Sequence, residues 1–326
     1  MNALVTGATG FVGSHLAATL AGRGDRVVCL ARRPEQAAFL AALGARAAPG
    51  SLEDLESLKA ALQGVDTVFH VAGLTAAGSE AEFLSVNEGG TARLVEAVRS
   101  AAPALARFVH VSSIAAVGPT ARGTRLSEDS PCRPLTAYGR SKLAGEAVVR
   151  AAGVPWTIVR PPVVYGPRDR ELLRLFRIAR YGVAPVFGWG GQELSLVFVA
   201  DLAEGIARAG REPATVGETY HLAHPEIVTA RRLAVEIGRA VRGHAPLILP
   251  LPGALAAPIV RAIGRAAAAT GRRTVVSGDK MAEFLAPAFG TSVAKAEREL
   301  GWRPAHDLVR GLAETTAWYR SERLLA

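Results

Sequence analysis

Short apolar runs alternate with amphipathic stretches through the first half of the chain. Residues 3–5, 26–30, 67–71, 108–112 and 156–160 read as strands, and 15–21, 52–62, 89–101 and 137–151 repeat their apolar positions at helical spacing. Strands separated by helices of this length predict βαβ units and a parallel sheet covered on both faces. End signals agree: Gly22 and Gly24 follow the first helix, and Gly153 and Pro155 follow the helix over 137–151. After Pro161-Pro162 the pattern changes. An Arg-rich helix is predicted over 171–180, then a loop at Gly188-Trp189-Gly190-Gly191 and an apolar run over 194–199 that ends at Asp201. A strand over 217–223 and helices over 230–241, 253–270 and from 292 to the end complete the pattern.

Bulk properties narrow the class. With 326 residues, 49% hydrophobic and 21% charged, the chain has the composition of a soluble globular protein with a sizeable core. The formal net charge is +9, but the arginines are scattered, and no dense basic stripe interleaves with aromatics. Nucleic acid is therefore not the expected partner. Cys29 and Cys132 are too few for a disulfide framework, and no His/Cys cluster has metal-ligand spacing, which points to a reducing compartment and no metal. The first strand begins at the initiator methionine, leaving no room for a signal peptide. The longest uncharged stretch, 245–260, is broken by four prolines and too short to span a bilayer. A cytoplasmic location is expected.

The chemistry begins at Thr6-Gly7-Ala8-Thr9-Gly10-Phe11-Val12-Gly13, directly after the first strand. A strand running into a glycine turn and a helix suits a dinucleotide pyrophosphate. Gly7 permits the tight turn, Gly10 leaves no Cβ before the phosphates, and Gly13 lets the helix lie close to the sheet. The N–H groups at the helix start then face the anion. The predicted fold is α/β: a Rossmann-type doubly wound parallel sheet over 1–165 with a smaller C-terminal α+β substrate region over 166–326. Residues 194–223 of the latter are expected to return to the sheet, and the cleft between the two regions is the expected substrate site.

Further along, Tyr138 and Lys142 stand four residues apart after Pro134 and a Thr136 N-cap. On a helix they share one face, one turn apart. An ammonium beside a phenol favours the phenolate and brings its pKa towards a useful range. Ser113, at the end of the run 108–112, offers a hydroxyl to a substrate oxygen.

In this order the motifs resemble the extended short-chain dehydrogenase/reductase superfamily, on its epimerase/dehydratase and hydroxysteroid dehydrogenase/dihydroflavonol reductase-like side. The glycine turn is followed by His70-Val71-Ala72-Gly73, Asn87-Glu88-Gly89-Gly90-Thr91, Ser112-Ser113 and Tyr138-Gly139-Arg140-Ser141-Lys142. Arg160-Pro161-Pro162-Val163-Val164-Tyr165-Gly166-Pro167, Phe198-Val199-Ala200-Asp201 and the segment from Lys295 to Trp302 extend the likeness over nearly the whole chain. The resemblance implies Tyr138 as proton donor or acceptor, Lys142 on the nicotinamide ribose, Ser113 on the substrate oxygen, Val71, Ala72 and Gly73 along the cofactor, and Pro161 near the nicotinamide. It also implies a homodimer through the helices over 89–101 and 137–151.

Departures from the family set the substrate and cofactor expectations. NAD enzymes place a carboxylate after the second strand for the ribose 2′-OH. Here Ala31 stands there, followed by Arg32 and Arg33. An arginine matching Arg32 occurs in NADP-dependent relatives, so NADP(H) is favoured over NAD(H), with Arg32 on the 2′-phosphate. Sugar dehydratases carry Asp-Glu after the catalytic Thr, where this chain has Ile114-Ala115. Nucleotide-sugar enzymes grip the diphosphate with an arginine where this chain has Leu194, although Arg168, Arg174 or Arg177 could substitute. The expected activity is an NAD(P)-dependent oxidoreductase acting on a hydrophobic or acyl-type ketone or alcohol. The alternatives are a nucleotide-sugar epimerase and a non-catalytic dinucleotide sensor.

Overall fold

The computed structural model describes residues 1–253 and 280–325. Its centre is a seven-stranded, all-parallel sheet in the order β3-β2-β1-β4-β5-β6-β10. The strands are β1 (Asn2–Thr6), β2 (Arg26–Ala31), β3 (Arg46–Pro49), β4 (Thr67–His70), β5 (Arg107–Val111), β6 (Trp156–Arg160) and β10 (Glu218–His221). Strand order reverses between β1 and β4. A crevice opens there at the carboxyl ends of the strands, where open α/β sheets hold ligands.

Helices cover both faces. On one, Leu16, Ala17 and Leu20 of α1 (Phe11–Gly22) pack with Leu202, Ala203 and Ile206 of α8 (Val199–Ala209). On the other, Leu58 of α3 (Leu55–Ala61), Leu94 and Val98 of α5 (Gly89–Ala101) and Val149 of α6 (Ala137–Arg150) form a second cluster. The short helices α2 (Phe39–Ala42) and α4 (Glu80–Asn87) complete this half.

The remaining elements form a smaller lobe. In it β9 (Glu193–Phe198) pairs with β7 (Val163–Tyr165), β11 (Ile227–Thr229) and β13 (Ala288–Phe289). Beside this sheet, β8 (Val183–Phe187) pairs in parallel with β12 (Leu247–Leu251). Helices α7 (Leu173–Ala179), α9 (Ala230–Arg242), α10 (Lys280–Leu285) and α12 (Leu308–Ser321) pack around them, whereas α11 (Ala294–Leu300) puts Ala296 and Leu300 into the core of the large sheet. Within 194–223, α8 and β10 join the large sheet layer, whereas β9 belongs to the small lobe.

Several boundaries move for local reasons. The helix expected from 52 starts at Leu55, because the Asp54 carboxylate accepts from the N–H groups of Glu56 and Ser57. The helix expected from 292 onward divides in two. Gly301, at φ 56°, ends the first part, and Asp307 caps the second. From residue 254 on, the expected helix over 253–270 lies outside the described residues, as does the rest of the apolar stretch 245–260; within the described part of that stretch lies β12.

Candidate active site

The chain leaves β1 at Gly7 with φ +74°, and a Cβ there would stand 2.6 Å from the Ala72 nitrogen. At Gly13 a Cβ would stand 2.2 Å from the Gly7 carbonyl oxygen, so only glycine lets α1 lie this close. Gly10 is different. Its only near neighbour is the Gly7 oxygen at 3.2 Å, and it lines the cleft. It caps α1 without a side chain, and the first turn carries no carboxylate. The N–H groups of Phe11, Val12 and Gly13 thus remain for an anion, and this cradle fits a dinucleotide pyrophosphate.

A buried hydrogen-bond chain fixes the opposite wall. Thr91 donates its hydroxyl to the Asn87 carbonyl at 2.6 Å, so towards His70 Nε2, at 2.9 Å, it acts as acceptor. His70 therefore carries its proton on Nε2, and Nδ1 accepts from the Thr6 hydroxyl at 2.7 Å. Thr6 in turn accepts the Ala72 N–H at 3.3 Å. The ring must be neutral for this pattern, and burial lowers its pKa to about 3. The Asn87 side chain accepts from Leu74 N–H at 2.7 Å and donates to Ser141 at 2.9 Å, tying the loop after β4 to α6.

Tyr138 and Lys142 project from the first turns of α6, which the Thr136 hydroxyl caps by accepting from Gly139 N–H at 3.1 Å. The Ser113 hydroxyl reaches the Tyr138 phenol and also accepts from Ala115 N–H at 3.2 Å. Lys142 donates to the Val111 carbonyl at 2.7 Å. The expectation that Lys142 brings the phenol towards neutrality does not hold in the free site. Burial pushes Tyr138 up to about 12, against the Ser113 hydrogen bond, and the Glu171 and Glu283 carboxylates add to the rise. Burial also lowers Lys142 to about 8, with Glu146 opposing. Desolvation is the largest cause at both groups.

One cavity of about 1480 Å³ joins these parts, large enough for a dinucleotide and a second ligand together. Gly7, Thr9, Gly10, Phe11, Val12, Gly13, Arg32, Val71, Ala72, Gly73, Ser113, Tyr138, Lys142 and Pro161 all line it. Arg33 does not; its side chain is exposed beyond the wall. Of the three arginines weighed as substitutes at the Leu194 position, Arg168 and Arg174 line the cavity, and Arg177 turns instead to the Leu324 carbonyl. Arg168 adopts φ 72° and reaches Ser14 in the first turn of α1, at 3.1 Å.

Sequence reasoning missed Lys280 and Glu283. They come from α10, far along the chain, yet the Lys280 ammonium lies 5.3 Å from the Tyr138 ring centre and Glu283 accepts from the Thr136 hydroxyl at 2.6 Å. No local motif marks them, because only the packing of the small lobe carries them to Tyr138.

Comparisons with known proteins agree with this geometry. Residues 3–223 match the model of the NAD dependent epimerase/dehydratase family. The chain is 32% identical to a ceramide reductase from Caulobacter vibrioides, over 97% of this chain and 94% of that protein. It is 35% identical to a 4-hydroxy-2-methyl-3-oxo-4-farnesyl-3,4-dihydroquinoline-1-oxide ketoreductase from Stigmatella aurantiaca, over 68% of each. The structure of MoeE5 in complex with UDP-glucose and NAD superposes with a TM-score of 0.78 at 26% identity, covering 99% of this chain and 100% of that one. With the glycine cradle, the Tyr138–Lys142 helix and the parallel sheet in place, the chain belongs to the NAD-dependent epimerase/dehydratase family and is an enzyme of the extended short-chain dehydrogenase/reductase type.

Proposed function

We propose that the enzyme interconverts a secondary alcohol and a ketone on a hydrophobic or acyl-type substrate, with NADP(H) preferred over NAD(H). The observation that carries this reading is the cavity wall beyond Tyr138. Leu194, Phe289 and Phe284 stand there, with a leucine at the position from which nucleotide-sugar relatives hold a diphosphate. A leucine cannot neutralise a diphosphate, and a lost charge-assisted contact costs about 2–3 kcal/mol. The similarity to a ceramide reductase and to a farnesyl-quinoline ketoreductase supports the same class.

Held by its pyrophosphate at the glycine cradle, the cofactor would supply hydride for reduction and accept it in oxidation. The chain's own residues do the rest. Ser113 holds the substrate oxygen, and Tyr138, protonated at neutral pH, gives that oxygen its proton as the carbonyl carbon is reduced. Lys142 holds the ribose hydroxyls and Arg32 the 2′-phosphate. The outer faces of α5 and α6 form the proposed dimer surface. The two free thiols, Cys29 and Cys132, support a reducing, cytoplasmic setting.

The second reading is a nucleotide-sugar epimerase, favoured by Arg168 and Arg174 on the cavity wall and by the likeness to a UDP-glucose complex. Calorimetry with UDP, GDP and dTDP in the presence of cofactor separates the two. The oxidoreductase reading expects no binding tighter than millimolar, and a micromolar affinity for any of them would replace it with the epimerase.

A further inference from the structure

Past Leu194 the cavity continues into the small lobe, where three elements each contribute apolar side chains to its wall. Along α9, Ala230, Ala234 and Ile237 recur at helical spacing; along α7, Leu175 and Ala179 do the same; on β8, Ala184 and Val186 alternate at strand spacing. Alanine holds four of these positions, so the wall leaves space that larger side chains would fill. The Ala230–Ile237 wall runs ~10 Å along the helix axis, the reach of roughly eight methylene groups. It is one continuous space with Ser113 and Tyr138.

We infer that this arm takes the linear hydrocarbon chain of an amphiphilic ketone whose carbonyl lies at Tyr138. The inference rests on the oxidoreductase reading and narrows its substrate class to long-chain lipid-like ketones. Chain burial is non-directional and needs only apolar wall and space, which is what these positions supply. Arg174, on the same α7, also lines the cavity, so the apolar positions of α9 and β8 carry the chain and not α7 as a whole.

The test uses the full-length enzyme with NADPH and a series of 2-alkanones from four to sixteen carbons. In the wild type, kcat/KM should rise with length by up to roughly fourfold per methylene until the arm is filled. Ala234→Phe should end that rise several carbons earlier and leave the shortest ketones unchanged, and Ala234→Leu should end it at an intermediate length. A readout independent of turnover comes from Trp318, which also lines the cavity. A long-chain 2-alkanone brominated at its far end should quench tryptophan fluorescence in the wild type and lose most of that quenching in Trp318→Phe. Reduction that ignores chain length, with no quenching of Trp318, overturns the arm while the oxidoreductase reading stands. Quenching at Trp318 without reduction of any ketone supports the arm as a chain site and overturns the oxidoreductase reading.

Discussion

Arg160 holds Glu146 in a two-pronged ion pair inside the protein, Nε to Oε1 at 2.8 Å and Nη2 to Oε2 at 2.7 Å, with both residues at most 2% exposed. Ser112 adds a third bond to Oε1 at 2.6 Å. Glu146 lies one turn beyond Lys142 on α6, and Arg160 precedes Pro161 at the end of β6. The pair therefore fixes the helix that carries Tyr138 against the strand end that carries Pro161.

Breaking this pair from one side strands a buried charge. Arg160→Met or Glu146→Leu should each lower the unfolding free energy by about 3–5 kcal/mol. The double variant Arg160→Met/Glu146→Leu should recover most of that loss, because it leaves no orphaned charge. Urea unfolding of all three checks this; a double variant as unstable as the sum of the singles contradicts it.

Legibility in the sequence followed the strength of local signals. The strands β1, β2, β4, β5 and β6 are buried on both faces and read as apolar runs, and α5 and α6 were visible from period and caps. Edge strand β3 was not, because Arg46-Ala47-Ala48-Pro49 holds no β-branched residue. The short pair β8 and β12 escaped because a proline interrupts each run, Pro185 in one and Pro250 in the other. The cofactor cradle and the Tyr138 helix were legible as motifs of fixed spacing. Lys280, Glu283 and the alanine-lined arm were not, since they reach the cavity only through tertiary packing. The Tyr138 pKa was misjudged because spacing reports a neighbouring charge and says nothing of desolvation.

Arg32 and Arg33 are adjacent, but only Arg32 lines the cavity. Arg32→Ala should weaken NADPH binding by roughly ten- to hundredfold and leave NADH nearly unchanged, the loss of one charge-assisted phosphate contact. Arg33→Ala should alter neither. Affinities measured by fluorescence titration check this, and an unchanged NADPH-to-NADH ratio in Arg32→Ala contradicts the assignment.

Lys142, lowered to about 8, loses its ammonium above that pH in the free enzyme. Cofactor affinity should then fall as pH rises from 7.5 to 9.5, by up to about tenfold per pH unit beyond the pKa. Lys142→Met should bind cofactor weakly at every pH in this range. Equal slopes in both proteins would show that another group governs the titration.

Four imidazoles resist protonation in the fold. Burial lowers His15 to about 4 and His70 and His221 to about 3, and His110 well below its ordinary value. Folded pKa values below the unfolded 6.5 mean that the unfolded chain binds more protons between roughly pH 6.5 and 4, so stability falls on acidification. Each imidazole contributes up to about 1.4 kcal/mol per pH unit in that window. The urea midpoint should drop clearly between pH 7 and pH 5, and His15→Gln should reduce the drop. A midpoint that stays constant or rises would contradict these assignments.

The most direct test follows one hydrogen. NADPH deuterated at the transferred position, mixed with a long-chain ketone, should give an alcohol with a single deuterium at the carbinol carbon, read by mass spectrometry. Tyr138→Phe keeps the ring and its packing but has no proton to donate, so the same transfer should slow by roughly a hundredfold or more while cofactor binding persists. Transfer at wild-type rate in Tyr138→Phe, or deuterium that returns to the cofactor while a nucleotide sugar inverts, would contradict the account.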